Sequence, residues 1–410
     1  MRRFALLLGL LLAACVVSPA FAKPPHHKAG AAPLILISID GFRPDYLDRG
    51  ITPNLSALAR GGVRGAMHPS FPSLTFPNHY TLVTGLRPDH NGIVDNTIED
   101  PAISDKAFGM YDKSMVAERR WWDEGEPIWV TAQNQGLKSA TLFWPGSEAP
   151  IHGVMPNRWK PFDYAMKSAA RVDLFLSWLD GPRAGFPQFM TLYFDAVDTA
   201  GHKGGPGSAE VNGAITDVDA AIGRLMAGLK ARGLSGANII IVADHGMADV
   251  GPERLILLDD VAPADSFRMV TAGSGAGVVP TPGHEAQAQA ALLAPHDHFQ
   301  CWRKGEMPAR FHYGSNARIP PIVCLAQTGW SITTHAWLEK HEPRKGGAHG
   351  FDPDALEMQA VFIASGPAFR HGASLAVFDN VDVYPLMAKV LGIAPRPNDG
   401  KLAEVAGALK

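Results

Sequence analysis

LILISIDG, residues 34–41, is a run of apolar residues that ends in an aspartate and a glycine. Four later stretches are also short apolar runs, namely ATLFWPG (140–146), FMTLYFDAVD (189–198), NIIIVADHG (238–246) and AVFIASG (360–366). Short continuous apolar runs rich in Ile, Val and Phe are typical of strands that are buried on both faces of a sheet. We therefore predict that each of these runs forms a strand of one central sheet.

Helical patterns separate these runs. In TPNLSALARGG (52–62), Thr52 is a candidate cap, Pro53 takes the first helical position and glycines mark the end. Between Ser208 and Gly233 the apolar residues follow a 4-3-4-3-4 spacing, at Val211, Ile215, Val218, Ile222, Leu225 and Leu229. This spacing indicates one face of a long amphipathic helix. Alternating strands and helices predict an α/β fold with a mainly parallel sheet flanked by helices.

A second pattern interrupts the first between residues 251 and 345. TPGHEAQAQAALLA indicates a helix, whereas FQCWRK and PIVCLAQTGWSITT indicate strands. We predict a smaller inserted α/β region, or cap, and a main domain built from residues 30–250 and 346–405. A loop-rich stretch at about 97–135 contains Trp121, Trp122 and Trp129.

The first 22 residues have the form of a secretory signal peptide. Arg2 and Arg3 precede the apolar FALLLGLLLAAC, and AFA (20–22) is a small-residue cleavage site. LAAC (12–15) also resembles a bacterial lipoprotein box, in which Cys15 would carry a lipid anchor. Both interpretations imply export to the periplasm or the medium, and we favour cleavage after Ala22.

The rest of the chain has the composition of a soluble globular protein. It has 46% hydrophobic residues, 19% charged residues and a formal net charge of -3, which gives no support to a nucleic-acid polymer as partner. Beyond the signal peptide no apolar run is long enough for a transmembrane helix. A disulfide between Cys301 and Cys324 is permissible in an oxidising compartment, and the sequence leaves the pairing open.

Acidic residues and histidines follow the predicted strands. They are Asp40, Asp198 with His202, Asp244 with His245, and His349 in the Gly-rich KGGAHGFDP. Ligands of open α/β sheets bind outside the carboxyl ends of the strands, so these side chains are expected to gather at one edge. Each of them alone has an ordinary explanation as a cap, turn or surface residue. Together they would repel one another in a cleft unless divalent cations were present.

Zinc suits this mixture of carboxylates and imidazoles. The four-residue spacing of Asp198 and His202 allows one turn of chain to direct both side chains at one ion. Six protein ligands exceed the needs of one tetrahedral zinc, so two zinc ions are predicted.

SFPSLTFPNHYT, residues 70–81, contains two prolines and no helix or strand period. We predict a loop between a strand and a helix. Four hydroxyl residues, Ser70, Ser73, Thr75 and Thr81, are candidate nucleophiles within it.

Five stretches in order resemble one known family: ILISIDGFRPDYL, PSLTFPNHYTLVTGLRPDHNGIVDN, DAVDTAGHKGGP, VADHGM and GAHGFDP. The chain resembles the nucleotide pyrophosphatase/phosphodiesterase family of the alkaline phosphatase superfamily from about residue 33 to residue 395. The resemblance is much weaker over the insertion. It implies an alkaline-phosphatase-like fold.

The same resemblance implies a role for particular residues. One zinc ion would be held by Asp198, His202 and His349, and the other by Asp40, Asp244, His245 and the oxygen of Thr75. Thr75 would be the nucleophile and Asn96 would hold a phosphate oxygen, while Phe76 and Tyr193 match positions that sandwich a nucleotide base. An ordinary place in the aromatic core remains the alternative for Phe76 and Tyr193. Asn78 and His79 are assigned to supporting hydrogen bonds.

The expected function is that of a zinc-dependent phosphodiesterase or nucleotide pyrophosphatase. It would release nucleoside 5'-monophosphates from small nucleotide substrates through a phospho-threonine intermediate on Thr75. Alternatives on the same two-metal fold are a choline-type phosphodiesterase, a phosphomonoesterase and a phosphonate hydrolase. The choline alternative rests on the tryptophans and acidic residues around WWDEGE, since a quaternary ammonium needs an aromatic cage. A secreted binding protein with a degenerate metal site is the alternative outside enzymes.

Overall fold

The structure is a computed structural model that describes residues 32–410. The signal peptide expected over residues 1–22, and Cys15 with it, lies outside the described residues. Among the helices of residues 32–410, none combines the length and the apolar character needed to cross a membrane.

A central sheet organises the chain, and all five predicted runs are strands within it. In the described residues it has nine strands. In order across the sheet they are Ala373–Ser374, Val63–His68, Ala360–Ser365, Asn238–Val242, Leu34–Ile39, Phe189–Phe194, Ser139–Leu142 and Arg158–Lys160, with Phe378–Asp379 paired to Val63–His68. Leu34–Ile39 is buried along its whole length and runs parallel to both of its neighbours.

One strand differs in direction from the mainly parallel arrangement. Ala360–Ser365 runs antiparallel to both Val63–His68 and Asn238–Val242, so the sheet is mixed. A continuous apolar run indicates that a strand is buried on both faces, but it does not indicate whether the strand runs parallel or antiparallel to its neighbours. The sequence pattern therefore could not predict the antiparallel strand.

Helices cover the sheet. The longer ones are Pro53–Gly61, Thr75–Thr84, Ile128–Asn134, Ser168–Ser177, Ala196–Gly204, Ala209–Ala231, Glu285–Leu292 and Val383–Leu391, and the short ones are Pro88–Asn91, Lys113–Val116, Leu258–Val261, His335–Leu338 and Leu402–Val405. The long predicted helix begins after Ser208, whose hydroxyl accepts a hydrogen bond from Val211 N. All six apolar residues of its predicted face are buried.

Thr52 directly precedes the helix as predicted, but its side chain makes no capping hydrogen bond. The Thr52 hydroxyl donates to Leu47 O, and the Asp219 carboxylate of the long helix accepts from the backbone N–H groups of Asn54 and Leu55 instead. A distant carboxylate thus satisfies the helix start, which a local sequence pattern cannot reveal.

The predicted loop over residues 70–81 is also wrong in part, because a helix begins at Thr75 and continues to Thr84. Pro77 takes the third position of this helix, where a backbone N–H has no partner within the helix and its loss costs little. The loop therefore ends at Leu74.

The stretch between Ala248 and Ala348 forms small sheets of its own. Phe267–Met269, Gly275–Pro280, Ile322–Ala326 and Phe299–Arg303 form an antiparallel sheet in this order. Two two-stranded ladders accompany it, Leu255–Leu257 with Ser331–Thr333 and Ala248–Val250 with Gly346–Ala348. Cys301 and Cys324 lie directly opposite each other in the antiparallel sheet and form a disulfide. A separate hairpin, Thr97–Asp100 with Ser104–Gly109, belongs to the loop-rich stretch.

Candidate active site

The first group of predicted ligands lies at the carboxyl ends of two central strands. Asp40 follows Leu34–Ile39, and Asp244 with His245 follows Asn238–Val242. These strands are parallel neighbours, so their ends open at the same edge of the sheet. One ligand atom from each of the three residues lies within 4.8 Å of the others, and all three side chains are buried.

The second group comes from more distant parts of the chain. Asp198 and His202 lie one turn apart on helix Ala196–Gly204, with His202 Nε2 3.4 Å from Asp198 Oδ1. His349 follows Gly346–Ala348, the strand that pairs with the chain leaving His245. Its Nε2 lies 3.6 Å from Asp198 Oδ1, and these three residues also meet within 4.8 Å.

Gly41 allows the two groups to approach each other. It has a φ of 67°, and a Cβ at this position would lie 3.2 Å from the Asp198 Cα atom. A side chain here would be strained by the backbone conformation and would push Asp198 away. The glycine of the SIDG motif thus keeps Asp40 and Asp198 in adjacent positions.

Backbone carbonyls fix the orientation of the histidine rings. Nδ1 lies 2.9 Å from Gly347 O in His202, 3.0 Å from Ser73 O in His349 and 2.9 Å from Gly246 O in His245. A carbonyl only accepts hydrogen bonds, so each Nδ1 carries a hydrogen, and in the neutral ring Nε2 is the nitrogen that can bind a metal ion. Metal-ligating histidines are commonly held in this way.

One oxygen of each of the three carboxylates is without a hydrogen bond among the described residues. Asp40 Oδ1, Asp198 Oδ1 and Asp244 Oδ2 are buried and lack a hydrogen-bond partner in residues 32–410. Buried polar atoms without partners are rare and costly, and here all three lie among imidazole lone pairs. A divalent cation in each group would satisfy them, and this donor set fits zinc.

The pKa values of the two carboxylates in the first group are shifted in opposite directions. Burial and the neighbouring carboxylates of Asp244 and Asp198 raise the pKa of Asp40 well above its ordinary value. Burial also acts to raise the pKa of Asp244, but His245 and His79 outweigh it and hold this pKa well below the ordinary value. The group therefore carries negative charge that only nearby positive charge makes tolerable.

His349 is held in the neutral form. Burial lowers its pKa well below the ordinary value, and the neighbouring His245 and His202 lower it further. Neutral imidazole is the form that binds metal ions.

Thr75 stands beside the first group. It is the first residue of helix Thr75–Thr84, only 4% exposed, and its Oγ1 lies 3.2 Å from His245 Nε2. The other early hydroxyls are engaged elsewhere, because Ser70 donates to Asn380 Oδ1 and Ser73 to Phe351 O. Of these three hydroxyls, only that of Thr75 faces the ligand cluster.

Asn78 and His79 make the supporting contacts expected of them. Asn78 Nδ2 contacts three backbone carbonyl oxygens of the preceding loop, at 2.9 to 3.2 Å. His79 Nδ1 lies 2.9 Å from Thr75 O, and its Nε2 lies 2.8 Å from Ser38 Oγ. Both side chains hold the start of the Thr75 helix in place.

Asn96 lies next to the same helix start. Its Oδ1 accepts a hydrogen bond of 2.9 Å from Phe76 N, which fixes the orientation of the amide. The amide still has Nδ2 as a donor, and Asn96 and Thr75 both line a cavity of about 900 Å³.

A second cavity of about 1230 Å³ also borders Asp198 and His202, and Phe76 and Tyr193 both line it. The Tyr193 hydroxyl donates a 2.6 Å hydrogen bond to Asp40 Oδ2, so this residue also orients a candidate ligand. Sequence reasoning missed Phe162, which is half-buried, lines the same cavity and packs 5.9 Å from the Tyr193 ring. It also missed Arg171, which is buried behind the cavity and donates to Tyr193 O.

The tryptophans that suggested a choline cage are fully buried, and Trp122 packs against Phe76. Trp121, Trp122 and Trp129 are 0% exposed and belong to the hydrophobic core. Side chains without exposed surface cannot form a cage for a ligand, so the tryptophans give no support to the choline alternative.

The sequence of this chain matches a known protein family over most of its length. Residues 34–352 match the family model of Type I phosphodiesterase / nucleotide pyrophosphatase. The chain belongs to this family. The match spans both ligand groups, Thr75 and all of the inserted sheets.

Relatives in the type I phosphodiesterase family cover most of the chain. An uncharacterised pyrophosphatase/phosphodiesterase of Schizosaccharomyces pombe is 38% identical over 385 residues, which are 90% of this chain and 78% of that protein. Mouse ectonucleotide pyrophosphatase/phosphodiesterase family member 1 is 37% identical over 391 residues, 92% of this chain but 43% of the mouse protein. This chain therefore matches less than half the length of that larger relative.

A solved structure agrees with the fold. The murine family member 5, in an inactive threonine-to-alanine variant bound to AMP, superposes with a TM-score of 0.87 at 32% identity. The similarity covers 93% of this chain and all of that one. The alkaline-phosphatase-like α/β fold expected from the sequence is thus confirmed.

Proposed function

We propose that this protein is a zinc-dependent phosphodiesterase and nucleotide pyrophosphatase that releases nucleoside 5'-monophosphates. The observation that carries the proposal is the position of Thr75 Oγ1, 3.2 Å from His245 Nε2 and beside the two ligand groups. Family membership and the AMP bound to a related structure support the substrate class. The aromatic cavity lined by Phe76, Phe162 and Tyr193 is large enough for a nucleoside.

Two zinc ions are part of the proposal. Asp198, His202 and His349 would hold one, and Asp40, Asp244, His245 and the Thr75 oxygen would hold the other. When bound, such ions lower the pKa of an oxygen ligand and neutralise charge on a phosphate. Tyr193, through its hydrogen bond to Asp40 Oδ2, and the carbonyls behind the histidines keep the ligands oriented.

Thr75 performs the covalent chemistry. Its hydroxyl proton leaves to solvent, and the Thr75 oxygen forms a bond to phosphorus as the bond to the leaving oxygen breaks. The leaving group departs with that electron pair, and the nucleoside 5'-phosphoryl group remains on Thr75. Water then adds its hydroxyl to phosphorus and returns a proton to the Thr75 oxygen as the phospho-threonine bond breaks.

Asn96 and the start of the Thr75 helix bind the phosphate during both steps. The Asn96 amide donates to a phosphate oxygen through Nδ2, because its Oδ1 is engaged by Phe76 N. The positive end of the helix at Thr75 favours the same negative charge. Donors aimed at an oxygen whose charge grows in the transition state lower the barrier.

Thr75→Ala tests the proposal directly. We expect the variant to bind the same amount of zinc as the wild type while kcat for p-nitrophenyl thymidine 5'-monophosphate falls by at least about a thousandfold. Labelled substrate should leave covalent phosphate on the wild type and on Thr75→Ser, but none on Thr75→Ala. Retained turnover in Thr75→Ala would reject the nucleophile, and faster hydrolysis of p-nitrophenyl phosphate than of the diester would reject the diesterase.

We also propose that the protein is exported by the N-terminal signal, to the periplasm or the medium. The disulfide of Cys301 and Cys324 supports this, because such bonds form and persist in oxidising compartments. Mass spectrometry of the exported protein would distinguish cleavage after Ala22 from a lipid on Cys15.

A further inference from the structure

The two cavities meet at the ligand group of Asp198 and His202. These two residues line both the cavity of about 900 Å³ and the aromatic cavity of about 1230 Å³. Met110, Tyr111 and Arg344 also line both. A substrate that fills the aromatic cavity with its nucleoside therefore has room for its leaving group in the other cavity, with Arg344 at the boundary.

Arg344 is a cation without a counter-ion among the described residues. Its side chain is exposed, and among residues 32–410 no carboxylate lies within ion-pair distance of its guanidinium. It precedes Gly346 and Gly347 and lies five residues before His349, in the same segment as that ligand. An unpaired guanidinium beside a phosphate-transfer site is suited to a second anion.

Arg318, the other arginine of the smaller cavity, differs in this respect. It is 8% exposed, pairs with Asp100 and Glu124, and donates to the carbonyl oxygens of Gly92 and Trp121. Its donors are thus committed to the fold. Arg344 is the arginine of this cavity that has its donors available for a ligand.

We infer that Arg344 binds the phosphate that lies on the leaving-group side of the scissile bond. The inference rests on the proposed function, and it makes Arg344 a specificity residue for pyrophosphate substrates over diesters whose leaving group contains no phosphate. As the bridging bond breaks, negative charge grows on the departing phosphate, so a charge-assisted hydrogen bond from Arg344 strengthens in the transition state. A departing phenolate has no phosphate for Arg344 to bind.

Two substrates with the same nucleoside isolate this effect. Thymidine 5'-triphosphate leaves pyrophosphate, whereas p-nitrophenyl thymidine 5'-monophosphate leaves p-nitrophenolate. In the zinc-loaded enzyme, Arg344→Gln should lower kcat/KM for the triphosphate about 10- to 100-fold, the range for a hydrogen bond to a charged group. The p-nitrophenyl ester should stay within about twofold of the wild type, and Arg344→Lys should recover part of the loss because it keeps the charge but not the planar fork.

Lys340→Gln is the matched control. Lys340 is exposed, belongs to the same segment, lines neither cavity and loses the same charge on substitution. It should leave both substrates within about twofold of the wild type, since its charge is screened by solvent. Equal losses on both substrates, or no loss in Arg344→Gln, would overturn the inference while the proposed function stands. A zinc-loaded wild type that cleaves neither substrate would overturn both.

Discussion

His202 Nε2 and His349 Nε2 lie 3.1 Å apart, although 147 positions separate the two residues in the chain. Because both rings direct Nδ1 at a backbone carbonyl, two nitrogen lone pairs face each other across this gap. Two such lone pairs repel, and the orphaned Asp198 Oδ1 lies within 3.6 Å of both nitrogens. A cation bound by all three atoms would remove this repulsion, because each atom would then donate its lone pair to the ion.

Metal analysis of variants tests this arrangement. We expect the wild type to bind two zinc ions per chain and the combined His202→Ala and His349→Ala variant to bind about one. Chelation should lower the thermal midpoint, since a ligand present at 1,000 times its Kd stabilises the native state by about 4 kcal/mol. Elemental mass spectrometry and calorimetry measure the two effects.

His90→Ala serves as the control for the zinc measurement. His90 is exposed and pairs with Asp399 away from both ligand groups, so its loss should leave the zinc content at two. A double variant that still binds two ions with unchanged affinity would show that His202 and His349 are not ligands.

Tyr193→Phe separates two roles of one side chain. The substitution keeps the ring that lines the aromatic cavity but removes the hydroxyl that donates to Asp40 Oδ2. Loss of such a supporting hydrogen bond typically weakens metal binding 10- to 100-fold. We expect activity to fall at limiting zinc and to return at saturating zinc, with KM for the nucleotide unchanged. A raised KM at saturating zinc would assign the hydroxyl to the substrate instead.

Phe162→Ala tests the aromatic cavity as the site of the base. Stacking of a base on an aromatic ring contributes about 1–3 kcal/mol, so KM for p-nitrophenyl thymidine 5'-monophosphate should rise about tenfold or more. Methyl p-nitrophenyl phosphate lacks a base and should be cleaved by the variant and the wild type at similar rates. Phe162→Tyr keeps the ring and provides the matched control. An equal loss on both substrates would contradict base stacking.

Much of the fold and of the ligand set followed from the sequence, for a physical reason. Burial on both faces gives each central strand its continuous apolar run, and the carboxyl ends of parallel strands necessarily share one edge. The sequence alone therefore predicts that Asp40, Asp244 and His245 lie together. His349 was harder to place from the residues alone, because its position depends on the ladder of Gly346–Ala348 with Ala248–Val250.

Other features were beyond local patterns. Phe162 lies in a stretch without a motif, and Arg344 lies just before KGGAHGFDP but is not part of its pattern. Both residues line the cavities only because distant segments pack together. The helix start at Thr75 was missed because two prolines suggested a loop, although one of them is tolerated in a first helical turn. The hydrogen bond from the Tyr193 hydroxyl to Asp40 depends on strand pairing. Tyr193 lies opposite Ser38 in the neighbouring strand, two residues before Asp40, and the sequence does not show this register.

Asp382→Asn tests a buried carboxyl group far from the ligand groups along the chain. Asp382 is 3% exposed, its Oδ1 accepts from Lys401 N at 2.7 Å, and burial raises its pKa to about 6. Between about pH 4 and pH 6, Asp382 keeps its proton in the folded protein but loses it in the unfolded chain. The contribution of Asp382 to the free energy of unfolding is therefore full below about pH 4 and is lost as the pH rises to about 6. Asparagine keeps the acceptor and carries no charge, so the variant should match the wild type near pH 4 and unfold at a temperature a few degrees higher near pH 8.

Asp105→Asn is the control, because Asp105 is exposed, and its thermal midpoint should show no such pH-dependent difference from the wild type. An equal midpoint shift at both pH values in Asp382→Asn would contradict the raised pKa of Asp382.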